Sequence, residues 1–323
     1  MPGCVGGSCD VVWNGFSYRG GGLGIGPGGN LVVVGDTAAV AWSPSFVFGT
    51  AGVAAFGLSG ALQFYTFTAE EVAAWGVALD TANLYYAAPG RPGFGEGTIS
   101  VAALDGGVGN GTAIAGGQDT PWGVAVDATS IYWTNLSIPG TPTGSVVEMP
   151  LGGGSPRVLA TGQQSPWALA VNASTLYWLD QGSLDGGDGA VMSLSLDGGQ
   201  AVVVAAGQSV PWGLAVDATA LYWTNHGTAA GTGSVMMVPL DGGAPVMLAT
   251  GQNSPAGVAV DGTGVYWVNE GDDGGQNGAI LQISRDGTGL TTIAADVPQP
   301  VGIAVDEKNV YFTSQAGFSI LPK

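Results

Sequence analysis

Positive charge is scarce in this chain. Its 323 residues hold 6 Lys and Arg against 24 Asp and Glu, a formal net charge of −18, with a single histidine. Nucleic-acid binding needs clustered cations to displace counterions from phosphate, and six scattered ones cannot supply that surface. Anionic membrane surfaces are disfavoured for the same reason. The acidity favours solubility and tolerates cationic partners or Ca²⁺. Cysteine occurs only at Cys4 and Cys9. A short-loop disulfide and two free thiols are both open there, and two thiols alone make a poor zinc site. Met1-Pro2-Gly3-Cys4 lacks the basic start and apolar run of a secretory leader, so none is read in the chain as given. No segment sustains a capped 3.6-residue period, so helix should be scarce.

One charge-free stretch, residues 37–69, has the length and hydropathy of a membrane span. A repeat register argues against that. Asp36 to Trp42 aligns with Asp80 to Tyr86, and Val53 to Gly60 aligns with Ile99 to Gly106. No transmembrane segment is expected.

What the chain has in abundance is one phrase, seen at its clearest from Pro211 to Asn225. Copies are anchored at Asp36, Asp80, Asp127, Asn172, Asp217, Asp261 and Asp306, with spacings of 44, 47, 45, 45, 44 and 45 residues. A fixed period in this range marks an array of like supersecondary units. Each unit divides into four short strands, lettered A to D in chain order. Around Asp217 these are Trp212 to Asp217, Leu221 to Asn225, Ser234 to Leu240 and Pro245 to Thr250. Asp-Gly turns at Asp105-Gly106-Gly107, Asp197-Gly198-Gly199 and Asp241-Gly242-Gly243 join C to D, as hairpins prefer. The 59 Gly and 18 Pro thus punctuate strands, because apolar residues at 46% are too many for a disordered chain.

Seven such units predict an all-β chain: a β-propeller of seven four-stranded blades, with six as the alternative, spanning residues 1–323 as one domain. Strand A sets bulk (Trp212, Leu214, Val216) on one side and Gly213, Ala215 and Asp217 on the other, which suits face-to-face stacking. The last unit runs out of sequence before its strand D. Residues 1–30 are therefore expected to close the ring, with Asp10 to Tyr18 as the missing strand and Gly20 to Gly29 as the link. Closure of this kind removes open sheet edges.

The phrases Leu221-Tyr222-Trp223-Thr224-Asn225 and Ile131-Tyr132-Trp133-Thr134-Asn135 resemble the YWTD repeat of the low-density lipoprotein receptor type. Gly213 to Asp217 and Leu240-Asp241-Gly242 match that repeat's other landmarks, and the likeness runs from about residue 31 to 323. It implies one blade per unit, an extracellular or otherwise extracytoplasmic setting, and binding of other proteins. Two departures stand out. The final Asp of the motif is Asn at 135, 225 and 269 and Asp only at 180, and that family closes at six blades. NHL and streptogramin-lyase-type propellers share the same blade logic.

A residue needed for chemistry is usually needed once, whereas a blade-building residue recurs. The repeated Asp at the end of strand A is read as structural, accepting backbone N–H bonds across a turn. Trp75, Trp122, Trp167 and Trp212 open strand A near the channel mouth. They are either wedges between blades, the favoured role, or exposed rings that stack on sugars or hold cations. Gln118, Gln163, Gln208 and Gln252 precede strand A, where a turn hydrogen bond is preferred over ligand contact. His226 is a further ligand candidate. The unrepeated B–C loops are where function is expected. Two are acidic, giving weak metal candidates in Asp185, Asp188, Glu270, Asp272 and Asp273, with Ca²⁺ as the fitting ion. No other cofactor is expected, and no triad spacing accompanies His226. The expected function is a monomeric, non-catalytic binding or scaffold module for a protein or carbohydrate. The alternative is a metal-assisted lyase or lactonase, of the streptogramin-lyase or gluconolactonase-like type.

Overall fold

The computed structural model describes strands at residues 31–34, 37–42 and 52–57, and then residues 75–323 apart from 91–92, 105–110, 137–141, 184–185 and 273–275. Cys4, Cys9, the expected closing strand, Asp36, the Asp105 turn, Asp185 and Asp273 lie outside the described residues.

The described residues form seven antiparallel sheets in chain order, numbered here 1 to 7. Sheets 2 to 6 have four strands each, and sheets 1 and 7 have three. Within every sheet, strands follow one another as neighbours, so each unit is a simple meander. Sheet 5 comprises Pro211–Val216, Ala220–Asn225, Gly233–Pro239 and Val246–Gln252, within two residues of the sequence expectation. Among the described residues sheet 7 has three strands, the last being Gly317–Pro322. Among the described residues no helix is long and apolar enough to cross a membrane, and the charge-free stretch contributes the strands Thr37–Trp42 and Gly52–Gly57.

The A strands are Leu31–Val34, Val77–Leu79, Pro121–Val126, Pro166–Val171, Pro211–Val216, Pro255–Val260 and Ile303–Val305. Each lies against the A strand of the next sheet, and Leu31–Val34 lies against both Val77–Leu79 and Ile303–Val305. The order of contact is thus cyclic, a propeller-like arrangement of sheets around the A strands.

Close approach of neighbouring A strands explains the small side of each. A Cβ on Gly213 would collide with the backbone carbonyl of Ala256 in the next sheet. Thr224 sits in that contact: its Oγ1 accepts the N–H of Gly213 (2.8 Å) and donates to the carbonyl of Ala256 (2.6 Å). Thr134 repeats this with Gly123 (2.9 Å) and Trp167 (2.9 Å). Both Thr side chains are fully buried, so these bonds satisfy groups that water cannot reach.

A second joint links sheets 2 to 6, each to the next. Trp133, Trp178, Trp223 and Trp267 in the B strands are fully buried. Their Nε1 atoms donate to Oε1 of Gln118, Gln163, Gln208 and Gln252, at 2.9, 2.9, 2.8 and 3.1 Å. Each Gln sits at the end of strand D of the preceding sheet, fifteen residues upstream. In sheet 7 the Trp position is Phe312 and the residue fifteen before it is Val297, and the two share one apolar cluster. Loss of the indole donor accompanies loss of its acceptor.

The A–B turns hold the repeated Asp as expected. Asp127 Oδ1 accepts the N–H groups of Thr129 (2.7 Å) and Ser130 (2.8 Å), and Tyr132 donates its hydroxyl to Oδ2 (2.9 Å). Asp80 with Tyr85 and Asp306 with Tyr311 repeat the pattern. Burial opposes the charge on these carboxylates, but the turn hydrogen bonds outweigh it and hold Asp80, Asp127 and Asp306 below the usual carboxylate range.

Candidate functional site

The start of strand A and the end of strand B lie together, as the pairing of Pro211 with Asn225 shows. This end, here called the mouth, also carries the D–A turns and the B–C loops. The residue before each strand-A Pro adopts a left-handed backbone: φ is 55° at Thr120, 55° at Ser165, 53° at Val210 and 54° at Ser254. Such a conformation is strained for β-branched Thr and Val. It turns the carbonyl of each to accept the N–H just beyond strand B, from Leu136, Gln181, His226 and Glu270 (2.9–3.1 Å). Those four residues therefore hold one equivalent place in successive sheets.

Two arcs follow the mouth. The aromatic arc consists of Trp75, Trp122, Trp167 and Trp212, each ring touching the next across a sheet boundary. Centroids are 4.0 Å apart for Trp122 and Trp167, and 5.0 Å for Trp167 and Trp212. Trp122 is buried, while Trp75, Trp167 and Trp212 are half-buried. The rings thus pack on one another as well as on the sheets. Next comes His226, 5.1 Å from the Trp212 ring. Its Nε2 lies 3.7 Å from Oε2 of Glu270, which begins the polar arc of Gln181, His226 and Glu270. Burial disfavours the imidazolium, but Glu270 and the Gly227 carbonyl outweigh that and raise the His226 pKa above its ordinary value.

Asp180, one residue before Gln181, stands where sheets 3, 5 and 6 have Asn. Burial pushes its pKa up to about 6, against the pull of the Gln164 N–H. Asn135, Asn225 and Asn269 each donate Nδ2 to the Gln of the preceding sheet (3.1, 3.0 and 3.0 Å). Asp180 has no such proton when ionised, so Gln163 accepts from Trp178 without the second donor its counterparts have.

Buried side-chain polar atoms lacking a hydrogen-bond partner are Trp75 Nε1, Asn135 Oδ1, Asp180 Oδ1, Gln181 Nε2, Asn225 Oδ1, Asn269 Oδ1 and Glu270 Oε1. Among the described residues all of them belong to the start of strand A or the end of strand B. Orphaned polar groups are costly and call for an explanation. Here they mark a single end of the molecule.

The sequence candidates separate at this level. The four Trp and His226 meet along the mouth. Gln118, Gln163, Gln208 and Gln252 are buried, each also donating Nε2 to the carbonyl two residues before it (2.8–3.0 Å), so their amides are engaged within the scaffold. Glu270 joins the mouth. Asp188 and Asp272 lie in exposed loops: Asp188 accepts from Ser183 (2.8 Å), and Asp272 accepts from Asn277 (2.7 Å) and Asn253. Among the described residues no three His, Cys, Asp or Glu side chains gather as metal ligands. Gln181 and Asp180 were not singled out as site residues. The signal for Asp180 is an Asp where three other units keep Asn, and Gln181 shares only its register with Leu136, His226 and Glu270. A cavity of about 100 Å³ lies elsewhere, lined by Glu148, Arg157, Leu194 and Gly198, with Arg157 and Glu148 forming an ion pair; none of the orphaned atoms belongs to its lining.

No family model matches the chain, and no curated protein matches it in sequence. Solved structures match its fold. Kuenenia stuttgartiensis hydrazine synthase superposes with a TM-score of 0.69 at 15% identity, over 97% of this chain and 99% of that one. The WD40 β-propeller domain of Doa1 gives 0.66 at 13% identity, over 91% and 93%. A puromycin-hydrolysing peptidase of Mycobacterium tuberculosis gives 0.62 at 15% identity over 88% of this chain, which spans about half, 48%, of the peptidase chain. At such identities the likeness concerns architecture alone: the chain has a β-propeller fold.

Proposed function

We propose that the chain is a seven-bladed closed ring acting as a non-catalytic binding or scaffold module, which presents its mouth to a protein or carbohydrate partner. The observation that carries this reading is the concentration of orphaned buried polar atoms and half-buried tryptophans at one end of the ring. The cyclic contact of A strands supports closure at seven. An extracytoplasmic setting, a monomeric state and kinship with YWTD-type repeats belong to the same proposal, and rest on the motif likeness and the acidity. The test is retention of a partner from a glycan set or culture extract by the immobilised chain. Trp167→Ala and Glu270→Ala should abolish retention, while Lys308→Ala, at an A–B turn on the opposite end, should leave it intact. Equal retention by all three variants overturns the reading. The metal-assisted lyase or lactonase alternative requires a saturable divalent-cation site, which calorimetric titration with Ca²⁺ and Mg²⁺ would reveal.

A further inference from the structure

We infer that the mouth is built for a neutral polyhydroxylated ligand, a saccharide, seated on Trp167 and Trp212 and held by Gln181 and Glu270. The inference rests on the binding role proposed above and names its ligand class.

The argument is one of hydrogen-bond sign. The orphans at the mouth are mixed: Trp75 Nε1 and Gln181 Nε2 are donors, and the Oδ1 atoms of Asn135, Asp180, Asn225 and Asn269 with Glu270 Oε1 are acceptors. Gln181 and Asp180 are more than nine-tenths buried, at 5% and 8% exposure. A cation satisfies only the acceptors and leaves both N–H groups orphaned. An anion satisfies only the donors and meets Glu270, Asp180 and a chain of net charge −18. An apolar ligand satisfies neither. A hydroxyl both donates and accepts, so a polyol is the small-molecule class that answers the whole set.

The aromatic arc adds shape. Half-buried Trp rings offer flat apolar area beside polar groups, and a pyranose presents the complement: an apolar C–H face rimmed by hydroxyls. The rings hold that face in place because each packs on the next across the sheet boundary. Gln181, His226 and Glu270 occupy the same place in three successive sheets, so they meet a ligand lying along the arc at regular intervals. A chain of sugar units has the matching periodic character, which favours an oligosaccharide over a monosaccharide.

The experiment is titration of intrinsic tryptophan fluorescence in the full chain. The probes are cellohexaose, xylohexaose, mannohexaose and chitohexaose, with tetramethylammonium chloride and calcium chloride as cationic counterparts. At least one oligosaccharide should shift the emission saturably, and the cations should not. Gln181→Met, close in shape but without the donor, should weaken that affinity about tenfold, one good hydrogen bond's worth. Glu270→Gln, which still accepts, should weaken it less than threefold. Circular dichroism of each variant confirms folding. A response to a cation, lost in Glu270→Gln and kept in Gln181→Met, overturns the saccharide while leaving the mouth as the binding site. No response to any probe overturns the saccharide, and unaltered retention of a protein partner by Trp167→Ala would then remove the mouth as well. Ordered water filling every orphaned site, with no oligosaccharide effect, likewise overturns the inference.

Discussion

Two sets of four tryptophans lie one strand apart, and they behave differently. Trp133, Trp178, Trp223 and Trp267 in the B strands are fully buried, and each gives its indole proton to a glutamine of the neighbouring sheet. Trp75, Trp122, Trp167 and Trp212 at the start of the A strands lean on one another at the mouth, and Trp75 Nε1 has no partner. Both sets recur four times, so recurrence alone does not tell scaffold from site. What tells them apart is whether the polar atom of the ring recurs together with a partner.

The largest expected effect breaks the comparison if it fails. Trp223→Ala removes a fully buried ring and one of the two donors to Gln208, so it should cost about 3–5 kcal/mol in urea unfolding. Trp212→Ala, at a half-buried ring, should cost about 1–2 kcal/mol. Equal losses would mean that both sets are wedges.

Asp180→Asn comes next. The Asp180 pKa is raised from 3.8 to about 6. Between those values the native state keeps a proton that the unfolded chain has released, so stability falls as pH rises through this window and stays reduced above it. The substitution restores the residue of sheets 3, 5 and 6 and supplies a donor to Gln163. It should stabilise the protein by about 1–3 kcal/mol at pH 7 and by much less at pH 4. The turn carboxylates act oppositely: with lowered pKa values, their contribution is present above 3.8 and lost as pH falls through the folded values. Wild-type stability should therefore peak near about pH 4 and fall toward pH 6. A melting temperature that keeps rising from pH 6 to pH 8 would contradict the environment assigned to Asp180.

The smallest effect sharpens the joint itself. Gln208→Val, which orphans the buried Trp223 indole N–H, should cost about 1–2 kcal/mol, and Trp223→Phe, which leaves Gln208 the Asn225 donor, about 0.5–1.5 kcal/mol. The double variant reproduces the pairing of Val297 with Phe312 and should recover about 1 kcal/mol of their sum. A cycle with no coupling would show that the Trp–Gln bond adds nothing beyond packing.

The scaffold was legible because its determinants are local. The Asp turns, the Asp-Gly hairpins and the large and small sides of strand A each follow from a few consecutive residues. The tie between Gln208 and Trp223 was written too, as a constant spacing whose two ends change together at Val297 and Phe312. Reading the glutamines as loop tips missed it, since the bond crosses from one sheet to the next. The mouth was harder to read. Gln181, His226 and Glu270 share no residue type, and only their shared register relates them. The environment of Asp180 depends on burial that no neighbouring residue announces.

Val297 and Phe312 leave the boundary between sheets 6 and 7 without the directional Trp–Gln bond that joins sheets 2 to 6. A hydrogen bond fixes distance and angle, whereas two apolar surfaces slide with little change in energy. Each of the four Trp–Gln steps sets its own distance and angle, and an apolar step beside them accepts whatever offset remains. The boundary between sheets 6 and 7 has the character of a slip joint, the place where a chain with unequal repeat lengths takes up its accumulated error.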